Sequence, residues 1–142
     1  MLCIIMILID QLIKYYVFIN QPKAILIPEW LSIYYAQNTG TLFGMAQGSN
    51  SILIITSIII IAIILVIIFK GTTKYSKKRK LWQLILAGGI SNLIDRIYRG
   101  FVIDYVSLKF FGVCNIADFC IVIGIVLLAI VELKELITDR KL

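Results

Sequence analysis

Long apolar segments alternate with more polar connections along the 142-residue chain. The apolar segments cover about residues 2–19, 52–69, 81–98 and 116–137. Each is long enough to cross the roughly 30 Å hydrocarbon core of a bilayer as a helix. Lipid offers a spanning backbone no hydrogen-bond partner outside its own helix. The pattern therefore predicts an all-α integral membrane protein, with four transmembrane helices in a single membrane-embedded domain, 1–142.

The first long connection, 20–51, contains a strand-like stretch. Residues 30–36 are aromatic and β-branched, which favours a strand, and Asn38-Thr39-Gly40 is typical of a turn. Tryptophan and tyrosine side chains also suit the interface between lipid and water. We therefore expect a small extracytoplasmic β-sheet cradle between helices 1 and 2, lying on the membrane surface.

Basic residues concentrate in the short connection 70–80, although the net charge of the whole chain is only +6. Such a cluster could bind nucleic acid or lipid headgroups, but the positive-inside rule explains it more simply as a cytoplasmic loop. Both termini are then cytoplasmic, the connections 20–51 and 99–115 face outward, and no nucleic-acid partner is expected. The basic residues of this loop are Lys70, Lys74, Lys77, Lys78, Arg79 and Lys80.

Composition narrows the class of protein and its chemistry. Hydrophobic residues make up 61% of the chain and charged residues 15%, which excludes a soluble domain because so much apolar surface could not be buried. The chain has no histidine, and its three cysteines, Cys3, Cys114 and Cys120, follow no metal-ligand spacing. We therefore expect no metal ion.

Two aspartates, Asp104 and Asp118, lie beside apolar segments, where charge is costly. Two carboxylates that lie close together share a proton, and a protonated and an ionised carboxyl can together activate a water molecule. Simpler interpretations stay open, because Asp118 could cap the fourth helix and Asp104 could pair with Arg96 or Arg99. The pair nevertheless predicts acid–base chemistry at the outer face of the membrane.

A stripe of polar and small residues follows the third helix. Gly88, Ser91, Asn92 and Asp95 have the spacing of one helix face, and Arg96 joins that face four residues after Asn92. Small residues allow helices to approach closely, and polar ones form hydrogen bonds between helices. The stripe is either a helix contact or a second layer of residues that positions the acids.

Further polar residues occur in the first helix and the outer loop. Asp10 and Lys14 have the spacing of a local helix ion pair, and Asn38 and Gly40 fit a turn. Two other functions remain open at this point: a small proton- or ion-coupled transporter subunit with intramembrane carboxylates, and an assembly protein whose polar residues only hold helices together. A transporter would place acids near mid-membrane, whereas these acids are expected towards one face.

Five stretches of the chain, in this order, resemble the motifs of the lipoprotein signal peptidases, also called signal peptidase II. Each stretch alone is weak evidence, but the five occur at compatible spacing and cover nearly the whole chain. The stretches are Asp10-Gln11-Leu12-Ile13-Lys14, residues 38–44, residues 88–96, Val102-Ile103-Asp104-Tyr105 and Asn115-Ile116-Ala117-Asp118.

The resemblance implies a membrane aspartic endopeptidase that removes the signal peptide from diacylglyceryl-modified prolipoproteins by cleaving before the lipidated cysteine. It places the catalytic dyad on Asp104 and Asp118, towards the extracytoplasmic face of the bacterial cytoplasmic membrane, and it requires no cofactor. The expected partners are the prolipoprotein and membrane lipid, the chain is expected to be a monomer, and a mobile outer-loop segment is expected over the site. The supporting polar residues that the resemblance implies are Asp10, Lys14, Asn38, Gly40, Asn92, Asp95, Arg96 and Asn115.

Four residues near the expected site depart from the usual pattern of the family. Ser91 stands where glycine is usual, Tyr105 and Cys114 stand where phenylalanine is usual, and Phe119 stands where a small polar residue is usual. A close helix contact accepts serine, whereas Phe119 changes the immediate surroundings of Asp118. None of the four removes a carboxylate of the expected dyad.

Overall fold

The computed structural model describes residues 1–40, 50–70 and 76–139. The helices in these residues are α1 (Leu2–Asn20), α2 (Asn50–Lys70), α3 (Ser76–Arg99) and α4 (Ile116–Asp139). The strands are β1 (Lys23–Ile27), β2 (Leu31–Asn38), β3 (Val102–Leu108) and β4 (Gly112–Cys114). A helix therefore forms at each of the four predicted segments, at slightly greater length than the apolar pattern indicated.

Parts of some predictions lie outside the described residues. They are residues 41–44 of the second family-like stretch, the outer-loop segment expected over the site, and residues 71–75 of the basic loop.

Helices α1, α2 and α4 are long and apolar enough to cross a membrane, by their length and composition. Their large apolar side chains are mostly exposed, which suits helices surrounded by lipid. Helix α3 has the same length as α4, but it begins in basic residues and ends in polar ones, and it packs against all three other helices. The protein is thus a mostly helical membrane protein with a small sheet.

The sheet has four antiparallel strands in the order β1-β2-β3-β4. The prediction of a cradle between helices 1 and 2 was incomplete, because β3 and β4 come from the connection between α3 and α4. Pairing β2 with β3 satisfies backbone groups on the second edge of β2. In this register Ala36 lies opposite Asp104 and Asn38 lies opposite Val102, so residues far apart in sequence become neighbours.

Close contact between α3 and α4 depends on two glycines. A Cβ atom on Gly88 would collide with the carbonyl oxygen of Ala117, and one on Gly124 would lie 2.5 Å from the Ile85 side chain. Because neither glycine has a side chain, the two helix backbones can approach closely. This contact carries the start of α4 to the polar end of α3.

Apolar packing is concentrated in two places. At one end, buried Ile64, Ile85 and Leu86 form the seam between α2 and α3, and Trp82 and Leu128 pack against it. At the other end, α1 meets the sheet in a second cluster, formed by Val17, Ile103 and Tyr105. Between α1, α3, the sheet and the start of α4 the buried side chains are mainly polar.

Candidate active site

Asp104 is buried in β3, with only 1% of the residue exposed. Its carboxylate accepts two side-chain hydrogen bonds: Asn38 Nδ2 donates to Oδ2 at 2.8 Å, and Asn115 Nδ2 donates to Oδ1 at 2.6 Å. The register between β2 and β3 brings Asn38 to this position. The sheet therefore both buries the carboxyl group and supplies one of its donors.

Asp118 and Asn115 form a capping box at the start of α4. Asn115 Oδ1 accepts the backbone N–H of Asp118 at 2.9 Å, and Asp118 Oδ2 accepts the backbone N–H of Asn115 at 3.2 Å. The remaining oxygen, Oδ1, accepts a hydrogen bond from Asn92 Nδ2 at 2.8 Å. The interpretation of Asp118 as a cap is confirmed, but Asp118 stays partly exposed, so a cap residue remains accessible to a substrate.

The fully buried side chain of Asn115 connects the two acids. Its oxygen caps α4 beside Asp118, while its Nδ2 donates to Asp104 at 2.6 Å. The side-chain amide of Asn115 therefore contacts the Asp104 carboxylate and the Asp118 backbone, so the two acids belong to a single hydrogen-bonded cluster. Within the part of the chain that the structure describes, no ion pair joins Asp104 to Arg96 or Arg99, so the simple pairing considered from the sequence is wrong.

Lys14 is the buried cation of this cluster. Its Nζ lies 2.8 Å from Asp10 and 3.0 Å from Asp95, and it donates to Asn92 Oδ1 at 2.8 Å. Because the Asn92 oxygen accepts from Lys14, the Asn92 amide nitrogen faces Asp118. The lysine thus fixes the orientation of one donor to the dyad and offsets the charges of two buried carboxylates.

The two supporting aspartates each hold the element that carries one acid of the dyad. Asp10 Oδ1 accepts the backbone N–H of Ala117 at 3.1 Å, in the first turn of α4. Asp95 Oδ2 accepts the backbone N–H of Ile103 at 3.2 Å, directly before Asp104. These carboxylates therefore anchor the helix of one acid and the strand of the other.

Gly40 and Arg96 lie at the edge of the cluster. Asn38 Oδ1 accepts the Gly40 backbone N–H at 2.9 Å, which confirms the predicted turn and leaves the Asn38 amide nitrogen to face Asp104. Arg96 Nη2 donates to the Gly40 carbonyl oxygen at 3.1 Å. The guanidinium group therefore holds the last described residue before the segment 41–49.

The pKa of Asp104 differs strongly from that of an ordinary aspartate. Burial, followed by the charge of Asp118, raises the pKa of Asp104 to about 7, although hydrogen bonds from Asn38 and Asn115 and the charge of Lys14 act in the opposite direction. The Asp104 carboxyl group is therefore substantially protonated near neutral pH. A protonated carboxyl beside a second carboxylate is the arrangement that general acid–base chemistry requires.

All ten site residues predicted from the sequence lie in one connected hydrogen-bond network. Gln11 also belongs to the network but was not predicted as a site residue. Its Nε2 donates to Ser91 Oγ at 3.0 Å and to Asp95 Oδ1 at 3.2 Å. The only feature of the sequence that pointed to Gln11 was its position next to Asp10. Every buried polar side-chain atom among the described residues has a hydrogen-bond partner. No group of three or more cysteine, aspartate or glutamate residues is arranged to hold a metal ion in the part of the chain that the structure describes.

Known proteins with similar sequences share one description. The sequence model of the family described as Signal peptidase (SPase) II matches residues 2–134. A lipoprotein signal peptidase of Caldicellulosiruptor bescii is 40% identical over 105 residues, which is 74% of this chain and 69% of that protein. A lipoprotein signal peptidase of Thermodesulfovibrio yellowstonii is 33% identical over 138 residues, covering 92% of this chain and 91% of that protein.

Solved structures give a similar result. A bacterial membrane enzyme determined by the in meso method at 2.3 Å resolution superposes with a TM-score of 0.87 at 28% identity, covering 94% of this chain and 86% of that chain. A second bacterial membrane enzyme, determined at 1.9 Å, superposes with a TM-score of 0.82 at 28% identity, covering 94% and 90% of the two chains. The similarity thus extends over nearly the whole fold.

Proposed function

Because the chain belongs to the signal peptidase II family, we propose that Asp104 and Asp118 are the catalytic dyad of an aspartic endopeptidase. The chain is a bacterial membrane peptidase that removes signal peptides from lipoprotein precursors. One observation carries the assignment of the dyad: the buried Asn115 amide hydrogen-bonds to both residues, so the two acids belong to one site. The cut falls before a cysteine that carries a diacylglyceryl group.

The two acids have different roles in the proposed mechanism. Asp118 is the ionised member, because the N-terminus of α4 and the N–H groups of Asn92 and Asn115 stabilise its negative charge. Asp104 is the protonated member, consistent with a pKa of about 7. This division gives the site one base and one acid at neutral pH.

Each step then uses one of these two groups. Asp118 takes a proton from a water molecule, and the water oxygen attacks the scissile carbonyl carbon. The carboxyl proton of Asp104 stabilises the negative charge that develops on the carbonyl oxygen. When the C–N bond breaks, Asp118 returns its proton to the leaving amine, and both acids regain their starting states.

Supporting residues keep the dyad in place during these steps. Lys14 orients the Asn92 amide towards Asp118. Asp10 and Asp95 hold the start of α4 and the start of β3, respectively. Because catalysis depends on sub-ångström placement of the reacting groups, these anchors are part of the active site. We propose that the enzyme acts as a monomer, since the described residues of one chain supply every group that the proposed mechanism uses.

We also place α3 across the membrane, as the fourth span. Its buried polar residues Ser91, Asn92 and Asp95 bond to α1 and to the start of α4, and the face towards α2 is apolar, which explains how α3 can cross despite its low hydropathy. Asn92 lies 13 residues after Arg79, which corresponds to roughly 20 Å along a helix. The positive-inside rule then places Arg79 and both termini in the cytoplasm, and the sheet and the dyad at the extracytoplasmic face.

This topology suits a substrate with a lipid anchor. The two acyl chains of the modified cysteine can remain in the bilayer while the peptide backbone next to them reaches the dyad.

No observation in the described residues favours a transporter, because the buried acids form one hydrogen-bonded cluster instead of a path between the two faces of the membrane.

The direct test is cleavage of a diacylglyceryl-modified precursor by purified protein in detergent. Asp104→Asn and Asp118→Asn should each lower the rate at least about 1,000-fold, because Asn can neither hold nor release the required proton. Glu29→Gln is the matched control, since Glu29 is an exposed acid paired with Lys109 outside the cluster, and its rate should stay unchanged. Normal cleavage by Asp104→Asn would refute the dyad, and equal cleavage of an unmodified precursor would refute the requirement for lipid.

A further inference from the structure

The start of α4 is held by side chains from other parts of the fold as well as by its own cap. The first N–H groups of a helix have no partner within the helix. In α4 the Ile116 N–H donates to Tyr105 Oη at 3.2 Å, and the Ala117 N–H donates to Asp10 Oδ1 at 3.1 Å. Since Asp118 is the next residue, these two contacts fix the turn that carries it.

Tyr105 is a rigid acceptor for the first of these N–H groups. Only 5% of the residue is exposed, and its ring packs in the apolar cluster with Val17 and Ile103. Burial, followed by the charge of Asp10, raises the pKa of Tyr105 above its ordinary value, so the hydroxyl is protonated at neutral pH. A packed ring with a neutral hydroxyl gives the helix a fixed contact to β3, the strand that also carries Asp104.

Ser91 acts on the second N–H group, through Asp10. Its Oγ donates to Asp10 Oδ2 at 2.6 Å, while Oδ1 of the same carboxylate accepts from Ala117. Ser91 is 1% exposed, and Gln11 Nε2 donates to its Oγ at 3.0 Å. With partners on both oxygens, the buried Asp10 carboxylate is held in one orientation.

We propose that Tyr105 and Ser91 are positioning residues for signal-peptide cleavage, whose hydroxyl groups hold the first turn of α4 and thereby fix Asp118 relative to Asp104. The proposal rests on the proposed function of the dyad. The two hydroxyl groups act on successive N–H groups at the start of α4, Tyr105 directly and Ser91 through Asp10.

The matched variants remove each hydroxyl and little else. Tyr105→Phe keeps the ring and its packing, and Ser91→Ala keeps the buried Cβ atom. Tyr98→Phe is the tyrosine control, because 82% of Tyr98 is exposed at the end of α3. Ser107→Ala is the serine control, because Ser107 is a half-buried residue of β3 outside the cluster.

Full-length protein in detergent is assayed on a diacylglyceryl-modified precursor, with kcat and KM determined separately. We expect Tyr105→Phe to lower kcat about fivefold with KM nearly unchanged, which corresponds to the loss of one hydrogen bond. Ser91→Ala should lower kcat about threefold, because Lys14 still holds Asp10 Oδ2. The double variant should be slower than either single variant, and both controls should match wild type.

A pH profile separates positioning from a loss of stability. The charged groups that act on Asp104 are Asp118 on α4, Lys14 on α1 and Arg96 on α3. If Asp118 moves away, its charge raises the pKa of Asp104 less, so the alkaline limb of the kcat profile should move to lower pH in Tyr105→Phe. A variant that only unfolds more easily would show the wild-type profile at a lower amplitude.

The results distinguish failure of the positioning role from failure of the dyad. Wild-type kcat in Tyr105→Phe, a rise in KM alone, or a loss explained by a smaller folded fraction would each overturn the proposal. Asp118→Asn is measured in parallel. If it is inactive while Tyr105→Phe is fully active, only the positioning role fails; if it is active, the dyad itself fails.

Discussion

The sheet end of the helix bundle and the apolar α2–α3 seam follow opposite rules of burial. At the end that carries the sheet, the most completely buried side chains include Lys14, Asp10, Asp95, Asp104 and Asn115. At the other end, the buried side chains of the α2–α3 seam are apolar, and equally apolar isoleucines on the same helices are exposed.

This difference shows what specifies the structure of a chain in lipid. An isoleucine gains little from leaving lipid for a protein interior, so the apolar seam contributes mainly shape and van der Waals contact. A buried charge or amide, in contrast, is tolerated only when each of its hydrogen-bonding atoms has a partner. The polar end therefore admits few alternative arrangements, and the same rigidity is what a catalytic site needs.

The largest effect should come from removing the central cation of the polar end. Lys14→Met leaves Asp10 and Asp95 without their shared partner, and breaking a buried ion pair from one side costs on the order of 3–5 kcal/mol. We expect activity to fall at least about 100-fold and the folded state to be destabilised. Cleavage of the lipid-modified precursor and thermal unfolding in detergent measure the two effects.

Lys134→Met is the control for this variant, because Lys134 is an exposed lysine on α4. It should match wild type in both measurements. If Lys14→Met kept activity near that of the control, the polar end would not depend on its cation, and the contrast between the two ends would be wrong.

The second effect is a pH dependence of activity and stability, which arises from Asp104 at the polar end. With the pKa of Asp104 at about 7, the protonated enzyme should predominate below that pH, and kcat/KM should fall about tenfold per pH unit well above it. Because folding takes up a proton between the unperturbed pKa of 3.8 and about 7, stability should also decline as the pH rises through this window. A pH–rate profile together with unfolding curves tests both signs.

A substitution of Asn38 tests whether the pH dependence comes from Asp104, because the sign of the expected pKa shift is known. Its hydrogen bond lowers the pKa of Asp104, so in Asn38→Ala the alkaline limb should move to higher pH. A limb that stays in place, or one that moves to lower pH, would mean that the limb reports a group other than Asp104.

The smallest effect is expected in the apolar seam. Ile85→Ala removes buried methyl groups beside Gly124 but touches no polar atom of the site. We expect a loss of about 2 kcal/mol in stability, at the low end for such truncations, and activity within about twofold of wild type. A loss of activity as large as that of Lys14→Met would show that the seam also positions the dyad.

Much of the fold followed from the hydrophobic pattern. Helices α1, α2 and α4 lie where long apolar runs predicted them, because in lipid a run of that length has no other way to pair its backbone. The pattern was less informative for the sheet. Residues 102–108 were predicted as an outer loop, although Val102, Ile103 and Tyr105 are residue types that favour strands. In the structure they form β3, which pairs with the edge of β2.

The candidate site shows a similar division. The residue types, and the five stretches that resemble the family motifs, indicated which side chains would lie close together, including Asp104 and Asp118. The sequence did not indicate that Asn115 would cap α4 and bind Asp104 with the same amide. Nor did it indicate that the hydroxyl of Tyr105 would contact the start of α4.

By itself, therefore, the sequence determined the class of protein, the helices and the set of polar residues, because hydrophobic length and residue type act locally. The tertiary structure decided which donor serves which carboxylate. The hydrogen bond from Ala117 to Asp10 joins residues 107 positions apart, and that from Ile103 to Asp95 lies at the start of a strand that pairs with the distant β2. Hydrogen bonds are directional and short, so their partners are fixed only once packing has brought distant segments within about 3 Å of each other.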